Sequence, residues 1–146
     1  MVNGAGKATI AINYLDTLTS NGFSIIDGSS VTLMKNIVVA CNGADSLSLT
    51  VNATDSVTVL VNGAGRYHLS GTTPKLNVGG NGIGKFYGYN LTSKNCDDTM
   101  NGSGDKQVYV TGILNVWMNG TGNLYYKGNP TTVTKFNNGT GQLIKQ

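Results

Sequence analysis

The chain has 146 residues, enough for a single domain over 1–146 to bury a core without disulfides or a structural metal. Charged residues are only 12%, with seven Asp and no Glu, while Gly, Asn and Thr are abundant, a composition that excludes long helices and favours turns and strands. The net charge of +3 comes from Lys and Arg scattered singly, so no basic block marks a nucleic-acid surface, and no run approaches the roughly 18 apolar residues of a membrane span.

From the N-terminus onward one tetrapeptide keeps returning. It appears strictly as Asn3-Gly4-Ala5-Gly6, weakens to Asn21-Gly22-Phe23-Ser24 and Asn42-Gly43-Ala44-Asp45, and is again Asn-Gly-x-Gly at Asn62, Asn81, Asn101, Asn119 and Asn138. Successive asparagines are 18, 21, 20, 19, 20, 18 and 19 residues apart. A sustained period in this range is the mark of a solenoid.

Each unit reads as strand, turn, strand, turn. A short alternation such as Leu124-Tyr125-Tyr126 follows the motif, then a turn at Gly71, Gly112 or Gly128, in two units with a proline (Pro74, Pro130) close behind. A second alternation such as Leu114-Asn115-Val116-Trp117-Met118 leads to the next Asn-Gly. Strands this short stack coil upon coil, which predicts an all-β, single-stranded parallel β-helix of about eight two-strand coils. Parallel crossovers make it right-handed.

Aligning the units gives the register. Two residues past the motif, Tyr67, Phe86, Leu124 and Leu143 point inward, and Val108 joins them if Lys106-Gln107 is a two-residue insertion. Before the next motif, Ile37, Val57, Leu76, Leu114 and Val133 form one inward row. Leu18, Val39, Val59, Val78 and Val116 form another, broken by Asp98 and Lys135. Polar residues lie between, the period-two pattern of strands around a common core. Cys41 and Cys96 then fall nearly three coils apart, too far for a disulfide at ~4.8 Å per coil. Two free thiols are expected, with Cys41 buried.

At the corner, Asn3, Asn62, Asn81, Asn101, Asn119 and Asn138 can bond amide to amide along the stack. The glycines admit positive φ and close backbone approach. The motif is thereby explained without a ligand.

The C-terminal stretch "VTGILNVWMNGTGNLYYKGNPTTVTKFNNGTGQLIKQ", with Tyr125-Tyr126-Lys127-Gly128-Asn129-Pro130 before the last coil, is similar to the head GIN domain family of putative auto-transporter adhesins. The similarity is strong over 101–146 and extends by repeat phase to Asn3. It implies a β-helical, exported bacterial protein of the periplasm, outer membrane or cell surface, although many family members use Ser-Gly corners where this chain has Asn-Gly. A signal segment would then lie outside this chain, with Met1 a cloning start.

The alignment also defines an outward column of His68, Tyr87, Tyr109, Tyr125 and Ile144. Its four rings could stack on a glycan or a protein partner, with Arg66 and Lys85 contacting acidic groups. They could equally stack on one another and stiffen the sheet. The expected function is a non-catalytic adhesin-like module. Its alternative is a spacer or assembly domain that self-associates through open solenoid ends.

Catalysis has little to stand on. Asp97-Asp98 is a carboxylate pair of the kind that cleaves glycosides, but neighbouring strand residues face opposite ways. One His and two distant Cys make no zinc site. Gly79-Gly80-Asn81-Gly82-Ile83-Gly84 lacks the Asp of a calcium nonapeptide, and no Gly-Lys-Ser/Thr follows any glycine loop. No cofactor is expected.

Overall fold

The computed structural model describes residues 1, 3–10 and 16–146, the side chains at 8, 10 and 29–34 excepted. The described residues form ten strands: β1 (Ala5–Ile10), β2 (Thr17–Ser20), β3 (Phe23–Cys41), β4 (Ser46–Val61), β5 (Arg66–Gly79), β6 (Lys85–Met100), β7 (Lys106–Met118), β8 (Leu124–Lys127), β9 (Thr132–Asn137) and β10 (Leu143–Lys145). Every pairing is parallel, in the order β1-β3-β4-β5-β6-β7-β8-β10, with β2 beside β3 and β9 beside β7. This is a β-solenoid of about seven turns. The expected eight were counted from asparagines, and eight corners enclose seven complete intervals.

The two strands expected per coil merge. From β3 to β7 each coil is one bent strand of 13 to 19 residues, whereas the coil holding β8 and β9 is split in two. The bends keep bonding to their neighbours through register shifts, for example between Asn52 and Ser56 and between Gly88 and Thr92. Among the predicted turn glycines, Gly71 and Gly128 have positive φ (114° and 92°) and mark where the chain swings round.

The corner chemistry differs in part from expectation. Asn21 donates to Asn3 (3.1 Å), Asn42 to Asn21 (2.7 Å) and Asn62 to Asn42 (3.0 Å). A second run joins Asn119 to Asn101 (2.9 Å) and Asn138 to Asn119 (3.3 Å). Between these runs Asn81 offers Asn62 its backbone N–H, at 3.4 Å, in place of its amide. Positive φ is not what the corner glycines supply, since Gly4 alone among them has it. Their role is close approach: a Cβ on Gly22, Gly43, Gly63, Gly82, Gly102, Gly120 or Gly139 would overlap the carbonyl oxygen of the motif glycine one coil earlier.

The inward rows before each corner hold the register read from the sequence. Ile37, Val57, Leu76 and Leu114 are fully buried, as are Val39, Val59 and Val116, and Cys96 fills the gap between Leu76 and Leu114. Val133 continues the row but is 41% exposed, β9 having no pairing partner besides β7 among the described strands. Its neighbour Lys135 pairs with Val116 and puts a charge at the inward position of this last edge, a device that blunts strand addition.

The first half of each coil contains a correction. Phe86 pairs with Lys106, and Lys106 with Leu124. Lys106-Gln107 is therefore no insertion; Lys106 occupies the core row and Val108 pairs with Gly88. The reason is electrostatic. Asp98, which broke the other row, is 0% exposed, and Lys106, 4% exposed, donates from Nζ to its Oδ1 at 2.8 Å and to the Thr99 carbonyl at 3.0 Å. Two apparent defects in the pattern are the two ends of one buried ion pair.

Candidate functional site

The outer face of the first half of β4 to β8 carries the column sought from the sequence, with one member changed. Ser48, His68, Tyr87, Gln107 and Tyr125 stand in register on successive coils, followed by Ile144. Tyr109 is not among them. It pairs with Lys127 and with Thr92, because removing the supposed insertion moves it two positions along the strand. His68 and Tyr87 stack face to face, with centroids 4.3 Å apart and planes within 6°, as rings on adjacent parallel strands can.

A second aromatic wall comes from an irregularity in β6. Between Tyr87 and Asn90 this strand has one residue more than the stretch of β5 from His68 to Ser70, and between Gly88 and Thr92 it runs ahead of β7 again. Such a bulge re-aims side chains. Gly88 tucks under, where a Cβ would meet the Phe86 ring at 2.6 Å and the Gln107 carbonyl at 2.7 Å. Tyr89 is turned toward solvent. Lys127 then lies over it, Nζ 4.4 Å from the ring centroid, within cation–π range. Burial, and after it the proximity of Tyr125, pushes the Tyr89 phenol above its ordinary pKa.

Between these walls is a groove of about 510 Å³, lined also by Ser48, Ser70, Asn90 and Gln107. Of the residues singled out in the sequence, His68 and Tyr87 line it. Tyr125 and Lys85 share a smaller neighbouring hollow with Tyr87 and Asp105, where Lys85 sits 3.9 Å from Asp105. Arg66 pairs with Lys85 in the adjacent row but opens onto a separate hollow beside Phe23 and Asp45. Tyr89, Asn90, Gln107 and Lys127 were missed. Coil length, 20 residues from Asn81 against 18 from Asn101, signals a surplus in the coil that holds Tyr89 and Asn90 without giving its place, and it does not point to Gln107 or Lys127.

The Asp97-Asp98 pair does not converge. Asp97 faces outward, bonded to Lys75 (3.0 Å) and to the Asn115 amide (2.8 Å). Its burial raises the carboxyl pKa, and those two hydrogen bonds outweigh this and hold it below the usual value. Asp98 faces the core. Cys41 and Cys96 are free and buried, the Cys41 thiol being pushed up to about 12 by desolvation first and Asp45 second. Among the described residues no three His, Cys, Asp or Glu side chains gather to hold a metal.

The family described as putative auto-transporter adhesin, head GIN domain, matches residues 2–130. The chain belongs to this family. The match takes in the Tyr-Tyr-Lys-Gly-Asn-Pro segment and ends at Pro130, so 131–146, part of the stretch that carried the resemblance in the sequence, lies beyond it. A solved structure described as a putative adhesin from Bacteroides fragilis NCTC 9343 superposes on this GIN domain with a TM-score of 0.85 at 20% identity, covering 90% of this chain and 61% of its own. The GIN domain here thus spans about three-fifths of that protein, and at this identity the likeness speaks for the fold. No curated protein is detectably similar in sequence.

Proposed function

We propose that this GIN domain is a non-catalytic module of a bacterial surface or envelope protein, exported to the periplasm, outer membrane or cell surface, which holds a glycan or protein partner in the groove between His68–Tyr87 and Tyr89–Lys127. The observation that carries this reading is the bulge in β6. An uninterrupted solenoid coil would present a flat face, whereas this coil spends an extra residue to raise Tyr89 opposite an existing aromatic stack. Clefts that pair apolar walls with a few polar groups are the common form of ligand sites. The divergence of Asp97 and Asp98 supports the absence of carboxylate-pair catalysis.

A second reading, a spacer without a ligand, is favoured by the mutual stacking of His68 and Tyr87, which occupies one face of each ring. Self-association through the C-terminal end is opposed by Lys135 at the inward edge position. A glycan and cell-surface protein array separates these readings. Binding that falls at least about ten-fold in Tyr87→Ala/Tyr89→Ala, while the thermal midpoint stays within a few degrees, supports the groove. Undiminished binding by that variant removes the groove as the site, and a blank array with the unaltered chain favours the spacer.

A further inference from the structure

The groove is chemically asymmetric. No carboxylate lines it, and its cationic side chain is Lys127. Lys75, Lys85 and Lys106 each have an aspartate within 4.0 Å. Lys127 has none among the described residues and rests against the face of Tyr89 instead. A cation placed over a ring and open to a cleft has a spare direction for a charge-assisted hydrogen bond. Asn90 and Gln107 add amides that both donate and accept, the bonding repertoire suited to vicinal hydroxyls. A volume of about 510 Å³ falls within the range of small-ligand clefts.

Resting on the reading of this groove as a binding site, we infer that its ligand is a carboxylate-bearing sugar of an acidic polysaccharide. The apolar face of the ring lies against the Tyr87 and Tyr89 rings, the carboxylate meets the Lys127 ammonium, and the hydroxyls bond to Asn90 and Gln107. A neutral sugar would use the walls and amides and leave the Lys127 ammonium idle. An apolar peptide would likewise bring no carboxylate to Lys127.

Calorimetry with the whole chain tests this, using tetragalacturonate, tetramannuronate and sialyllactose beside their carboxyl-reduced counterparts. At least one acidic probe is expected to bind about ten-fold or more tightly than its reduced form. Added salt should weaken that preference. Lys127→Met should abolish it and Lys127→Arg should keep it, with circular dichroism and thermal midpoint unchanged in both. Equal binding of acidic and reduced probes, or a preference that survives Lys127→Met, overturns the acidic-sugar assignment and leaves the groove as a glycan site. Binding by none of the acidic probes also overturns the assignment. The broader reading falls only if the array is blank too, so the two failures are distinguishable.

Discussion

Replacing Lys106 by methionine is expected to lower the unfolding free energy by about 3–5 kcal/mol, because it leaves the Asp98 carboxylate buried without its partner. Asp98 has no exposed surface, and its Oδ2 already lacks a hydrogen-bond partner. Its surroundings are the thiol of Cys96 and the Val78 and Val116 rows, none of which can replace an ammonium. Removing both charges is a different experiment. Asp98→Leu/Lys106→Met should recover most of the loss, since well-packed apolar pairs commonly match or exceed a buried ion pair. Urea unfolding of the two variants checks this directly.

The same variant has a pH signature of known sign. Burial raises the pKa of Asp98, and Lys106 opposes that rise. Without Lys106 the folded value moves further above the unfolded value of about 3.9. The folded state then holds a proton that the unfolded chain releases, so stability falls as pH climbs from the unfolded value through the folded one. The deficit of Lys106→Met relative to the double variant should be smallest in acid and grow toward neutrality. A pH-independent deficit would mean that Asp98 is not the group left stranded.

The second large effect is expected at Gly63→Ala, a loss of about 3 kcal/mol or more. A Cβ there would overlap the Gly43 carbonyl, and the same carbonyl accepts the Ala64 N–H at 3.0 Å. Because the clash is at Cβ, no side-chain rotation relieves it. Either the coils separate at this corner or the hydrogen bond breaks. Gly79→Ala is the control, its Cβ meeting only the Leu60 Cδ2 at 3.5 Å, ordinary contact, and its midpoint should shift by no more than a few degrees. Equal losses at the two glycines would show that the corner is no tighter than the rest of the coil.

The solenoid was legible because its determinants are periodic. A corner asparagine every twenty or so residues and inward rows at Ile37, Val57, Leu76 and Leu114 repeat a local rule that any coil obeys. What escaped are features that depend on two coils at once. Lys106 looks out of place in a core row until Asp98, in the same coil's neighbour, is seen to need it. Treating it as an insertion then carried Tyr109 into the outward column in place of Gln107. The groove was hidden for a related reason: alternation puts Tyr89 on the outer face with Tyr87, and only the pairing with shorter stretches of β5 and β7 shows it to be the surplus residue beside the His68–Tyr87 stack. Lys127, two coils from Tyr89 along the stack, has no sequence pattern that ties it to that ring.

The central claim is that recognition takes place where the bulge of β6 faces the His68–Tyr87 stack. A two-dimensional amide NMR titration of the whole chain with the tightest ligand from the array tests it most directly. Shifts are expected to concentrate at His68, Tyr87, Tyr89, Asn90, Gln107 and Lys127. Shifts concentrated instead around Trp117 and Phe136, the stacked rings on the other half of the coil, would contradict it.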